Sequence, residues 1–214
     1  MLSRVCYTWP MTLDALQWWV QRAGAAALVA ALAAIFFGLA RGLPRQRKDS
    51  LGWWSRLLRA PWFYVAASAV YFGLCYLIWR PLPWPLSTAT RAFCLLLGSL
   101  LYFPGLGLVL WARLTLGRMY FVSSTSEAPL YADHRLITTG PFAIVRHPMY
   151  LGLLLTGLGG ILIYWTWTFV FVAGHIFGLV FRARREEEAL SAAFGQEWET
   201  YRLRVPAWIP RFHR

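Results

Sequence analysis

Arg146, His147 and Tyr150 stand close together in Gly140–Gly152, GPFAIVRHPMYLG, and Glu186, Glu187 and Glu188 follow roughly forty residues later in RARREEE. A guanidinium binds a carboxylate through two parallel hydrogen bonds, imidazole and phenol donate or accept, and carboxylates hold a cation. The stretch between the two groups is apolar, and polar side chains at the mouth of such a segment are costly without a task. Together they read as the two halves of one cofactor site, provided the fold returns both ends of the apolar segment to one place.

Each half also has a plain structural account. On a helix Arg146 and Tyr150 are i and i+4 and share a face, with His147 about 100° around, so an arginine snorkelling to phosphates beside an interfacial tyrosine explains them equally well. Arg182–Glu186 and Arg184–Glu188 are i,i+4 pairs of the kind found on a solvated helix. His175, inside the apolar segment, reads as a hydrogen-bonded bundle histidine rather than a catalyst.

Other chemistries find little support. Gly105-Leu106-Gly107 and Gly157-Leu158-Gly159 lack the third glycine of a dinucleotide fingerprint and sit in apolar runs, not after a strand. Cys6, Cys75 and Cys94 are widely spaced, with no CxxC partner and no histidine at ligand spacing, so neither a disulfide framework nor a metal site is expected.

The elements that must position these residues are membrane helices. With 58% hydrophobic and only 14% charged residues, and a mean hydropathy of +0.47, the 214-residue chain lies outside the range of soluble domains. Ala23–Ala40 is a first charge-free span; about twenty mostly polar or aromatic residues precede its alanine-rich core, which argues against a cleaved signal. Ala60–Trp79 and Ala92–Trp111 are the second and third, the latter carrying Pro104-Gly105, where a kink would leave room for a ligand or a neighbouring helix. The run Pro148–Phe181 carries no formal charge. Its roughly 34 residues would extend about 51 Å as a continuous helix, too long for one span and slightly short for two. A tight hairpin breaking near Trp165-Thr166-Trp167 resolves that length.

The formal net charge of +12 is not gathered into a nucleic-acid surface, and no nucleic-acid partner is expected. With five spans and the N-terminus outside, the inner segments 41–59, 113–146 and 182–214 hold 6, 4 and 7 Lys plus Arg, 17 of the 21. Trp53 and Trp54 in the first inner loop suit the headgroup level, and the tail from Arg182 to Arg204 reads as one charged cytoplasmic helix ending before Pro206. The fold expected is therefore an all-α, multi-pass integral membrane protein of about five transmembrane helices. Its last two form a short hairpin, and a cytoplasmic C-terminal helix follows.

GPFAIVRHPMYLG followed, two apolar helices later, by RARREEEALSAAFGQEWETYRLRVPAWIP resembles the isoprenylcysteine carboxyl methyltransferase family, which is related to the phospholipid N-methyltransferases. The residues carrying the resemblance are Gly140, Pro141, Arg146, His147, Pro148, Tyr150 and Gly152, then Glu186, Glu187, Leu190, Phe194, Gly195, Glu197, Tyr201, Val205, Pro206 and Pro210. Phe142 and Trp198 stand where tyrosine is usual. The resemblance covers about Leu108 to Pro210, dividing the chain into a three-span region, 1–112, and a methyltransferase-like region, 113–214. That second region comprises a loop 113–146, a hairpin 147–182 and a tail 183–214.

The resemblance implies S-adenosylmethionine held between the last two membrane helices and the tail, with a lipophilic acceptor entering from the bilayer. It implies cofactor contacts from Leu136, Gly140, Arg146, His147, Pro148, Tyr150, Gly152, Glu186 and Glu187. Arg204 is the candidate for orienting a carboxylate acceptor, and Glu187 or His147 the candidate base for a thiol or amine acceptor. A membrane reductase using NADPH and a non-catalytic membrane protein remain as alternatives, and oligomeric state is not legible.

Overall fold

The computed structural model describes residues 12–42, 61–117 and 135–210. Cys6, the basic loop with Trp53 and Trp54, and the middle of the 113–146 segment lie outside the described residues. The named elements among the described residues are all helical: α1 Leu13–Gly42, α2 Pro61–Leu77, α3 Thr88–Leu116, a 3-10 turn Gly140–Ala143, α4 Pro148–Tyr164, α5 Trp167–Phe194 and α6 Gln196–Arg204. Leu13–Ile35 and Thr88–Leu116 are long and apolar enough to cross a membrane, and Val65–Leu77 and Pro148–Tyr164 are shorter apolar helices.

α1 begins at Leu13 rather than at Ala23, because polar residues ahead of the apolar run find partners. Thr12 Oγ1 accepts from Ala15 N–H at 3.2 Å as a cap, Asp14 pairs with Arg91 of α3 at 2.6 Å, and Arg22 lies 4.9 Å over the Trp18 ring. The helix is tied inward by the Tyr102 hydroxyl, which donates to Gly24 O at 3.1 Å from a fully buried ring.

α3 and α4 run antiparallel along a seam of glycines. A Cβ on Gly105 would lie 2.8 Å from Gly152 O, and one on Gly159 would lie 2.7 Å from Gly98 O, so the two backbones approach as only small residues allow. The space beside Pro104 is thus taken by a neighbouring helix. Around the far end of this seam Tyr102, Leu106, Ile163 and Phe169 form the buried core.

The uncharged run breaks at Trp165, which sits in the left-handed region at φ 50°. The strain is held from both sides: Leu82 N–H donates to Trp165 O at 2.9 Å, and the Trp165 indole N–H donates to Trp84 O at 3.0 Å. The proline-rich 80–86 stretch therefore serves as a clasp on this turn, and α5 folds back along α4 with Phe169 against Gly160.

α5 continues without interruption from apolar Trp167 into RARREEE and stops at Gly195, whose φ of 48° suits a glycine helix stop. The tail is consequently two helices, not one. Turning at Gly195 lets α6 bury Trp198 and Tyr201, 2% and 4% exposed, against the segment that carries Arg146.

Outside this core, Val65, Val70, Tyr76 and Leu77 of α2 and Phe93, Leu96 and Leu100 of α3 point outward, 62% to 82% exposed. An exterior this apolar requires hydrocarbon around it, and the chain is a membrane protein.

Candidate active site

The chain enters the site through the 3-10 turn. Gly140 has φ +60°, and a Cβ there would lie 2.9 Å from Thr115 Oγ1, so the position admits only glycine. Pro141, Val145 and Pro148 are buried, and Pro148 opens α4 at a position where its missing N–H costs nothing. Arg146 and His147 are then pinned to the end of the chain by their backbone: Arg146 N–H donates to Pro206 O at 2.8 Å and His147 N–H to Ala207 O at 3.1 Å.

From this scaffold the side chains converge on Glu187 of α5. Its Oε1 accepts from Arg146 Nη2 at 3.0 Å and from His147 Nε2 at 2.7 Å. The guanidinium also donates from Nη1 to Arg202 O at 3.1 Å and lies 5.6 Å over the Trp198 ring. Arg146 and His147 are 11% and 5% exposed and Glu187 25%, so the cluster is largely withdrawn from water. Burial pushes the Glu187 carboxyl up, but the His147 hydrogen bond and the Arg146 charge outweigh it and hold the group below the usual glutamate range. An ionised carboxylate only accepts, so His147 Nε2 carries the proton between them.

One helical turn further in, the Tyr150 hydroxyl donates to Glu186 Oε2 at 2.9 Å, and Arg182 also hydrogen-bonds that hydroxyl. Tyr201, whose phenol burial pushes up to about 12, donates to Phe142 O at 2.7 Å and fastens α6 to the 3-10 turn. Near-parallel rings complete one wall: His147 and Tyr150 have centroids 5.7 Å apart, and Trp208 lies 5.3 Å from His147.

Of the residues singled out in the sequence, Arg146, His147, Tyr150, Glu186 and Glu187 meet here, with Gly140 and Pro148 shaping the entry. Gly152 is turned toward α3, and its carbonyl accepts from Thr156 Oγ1 at 2.8 Å, so it serves the helix seam. Leu136 lies half-buried in the residues before the 3-10 turn. Arg204 is not drawn in: it is exposed and its Nε donates to Thr200 O on its own helix at 3.3 Å. His175 Nδ1 donates to Phe171 O at 2.8 Å, edge-on to Tyr71, in the contact between α2 and α5. Sequence reasoning missed Trp208 and the role of Trp198. The available signals were an aromatic side chain set between Pro206 and Pro210, and a tryptophan replacing the usual tyrosine.

An all-helical membrane protein with a buried arginine–histidine–glutamate cluster where two antiparallel helices meet the tail is the class that fold and site define. Residues 93–197 match the family model described as phospholipid methyltransferase. The protein-S-isoprenylcysteine O-methyltransferase of Schizosaccharomyces pombe is 38% identical over 84 residues, covering 36% of this chain and 34% of that protein. The enzyme of the same name from Mus musculus is 36% identical over 87 residues, covering 36% of this chain and 28% of that protein. The family resemblance carried by the two sequence blocks thus holds, while the chain spans only about a third of the length of these relatives.

Proposed function

We propose that this protein is an S-adenosylmethionine-dependent methyltransferase that esterifies a carboxylate on a lipophilic acceptor, of the isoprenylcysteine kind, at the cytoplasmic face of the membrane. The observation that carries the reading is the Glu187 cluster, in which one carboxylate is shared by Arg146 and His147 from the other end of the helix pair.

The donor set fits the cofactor. Arg146 Nε is buried without a hydrogen-bond partner, leaving guanidinium capacity for an amino-acid carboxylate. Glu186 and Glu187 suit an α-ammonium group or the positive charge at sulfur, and His147 and Tyr150 bring ring faces and polar edges for an adenosine. When bound, the cofactor would supply a methyl group on a sulfonium, whose bonding electrons stay with sulfur as a neutral thioether.

A carboxylate acceptor suits these residues better than a thiol or amine. A carboxylate is already a nucleophile and has no proton to lose, whereas Glu187, stabilised as an anion by two donors, is a weak base. The contribution asked of the protein is alignment and exclusion of water. Arg204 keeps its proposed task of orienting the acceptor carboxylate, from an exposed place on α6 that would require it to give up its bond to Thr200 O.

Five spans with the N-terminus outside put both ends of the α4–α5 pair on the cytoplasmic side. α4 is 17 residues, about 26 Å, which a bilayer accommodates by slight thinning. Titration calorimetry of the purified chain with S-adenosylhomocysteine tests the assignment. Saturable binding is expected, weakened at least about tenfold in a His147→Ala/Glu187→Ala variant by loss of the charge-assisted contacts. Absence of binding to the wild type, or equal binding to the variant, would count against it.

A further inference from the structure

We propose that Trp208 is the aromatic platform on which this site holds a purine base, a role that rests on the methyltransferase reading above. Trp208 lies beyond residue 197, where the family-model match ends, and between Pro206 and Pro210 of the tail. The backbone leading to the indole is held in place. Pro206 O and Ala207 O accept from Arg146 and His147 N–H at 2.8 and 3.1 Å, and Pro206 and Pro210 stiffen the backbone around it.

Its ring lies 5.3 Å from His147 at 30° and 6.3 Å from Tyr150 at 28°, while His147 and Tyr150 are inclined by only 14°. Three rings stacked on one another form a platform that a planar heterocycle can extend. A receptor for a small cation would instead turn its ring faces inward around one point. Two of the three rings are already committed through their polar atoms, His147 to Glu187 and Tyr150 to Glu186. Trp208 stacks on His147 with one face and is partly exposed, so the base would extend the stack from its far side. Stacking on an aromatic face changes base affinity by roughly 5- to 150-fold, and it is indifferent to the charge at sulfur.

The test uses the full chain in detergent, with Trp208→Leu to keep apolar bulk without a π face and Trp208→Phe to restore the face. Calorimetry is run with S-adenosylhomocysteine and with 5′-methylthioadenosine, which keeps the purine but lacks the amino-acid end. Both ligands are expected to bind W208L about tenfold more weakly and W208F within roughly threefold of wild type. Unchanged affinities in W208L, a loss confined to S-adenosylhomocysteine, or a W208F as weak as W208L would each overturn the proposal. If the wild type binds neither ligand, the methyltransferase reading itself falls, and this platform with it.

Discussion

Glu187 sits at the centre of the residue-scale chemistry. Folding lowers its pKa, so its contribution to stability is complete above the ordinary value of 4.5 and is lost as pH falls through the lower folded value. Raising the pH leaves that contribution in place. Glu187→Gln keeps the shape and removes the charge that Arg146 and His147 share. With a quarter of the side chain exposed the loss falls between surface and buried pairs, about 1–2 kcal/mol. Thermal unfolding in detergent should therefore show a wild-type advantage that is constant near neutral pH and shrinks below about pH 4.5. An advantage that persists undiminished in acid would mean that the ion pair is not its source.

At the scale of elements, the site depends on how closely α4 can lie against α3. Gly152 is a tight point near the site: a Cβ would meet Gly105 O at 2.7 Å and Val109 Cγ2 at 2.8 Å. Gly152→Val should destabilise the protein by about 1–3 kcal/mol, read from the thermal midpoint, because backbone rather than a flexible side chain must move. It should also weaken S-adenosylhomocysteine binding, since α4 carries His147 and Tyr150 at its mouth.

Much of this level was legible in the sequence. Charge-free runs bounded by arginines mark helices, and the long run from Pro148 to Phe181 had to break somewhere; it does so at Trp165, where two tryptophans flank a threonine. The start of α1 was not legible, because Asp14 and Arg22 are met by Arg91 and Trp18, partners remote in sequence or hidden by helical register. The stop at Gly195 was passed over because the surrounding residues are good helix formers. That Arg146, His147, Tyr150, Glu186 and Glu187 meet was legible because the two blocks stand at opposite ends of one uncharged run that breaks in its middle. Trp208, one tryptophan among 13, was passed over because its place between Pro206 and Pro210 gains meaning only when the tail is seen paired with Arg146 and His147.

For the whole molecule, topology and reaction are linked: the proposed cytoplasmic site requires an even number of crossings between Arg146 and Arg182, and the side proposed for it rests on the charge count. Single cysteines introduced into a chain cleared of its own three report this directly. Thr200→Cys should react with an impermeant maleimide only from the cytoplasmic side and Pro85→Cys only from the other. Labelling of both from one side would remove the five-span arrangement.

The reaction itself is most directly tested with a methyl-labelled S-adenosylmethionine and an S-prenylated cysteine as acceptor. Mild base cleaves a methyl ester to methanol but leaves methylthioethers and methylamines intact. The wild type is expected to transfer label that base releases as methanol, and His147→Ala/Glu187→Ala is expected not to. Label that survives base, or no transfer by a chain that binds S-adenosylhomocysteine, would contradict carboxyl methylation.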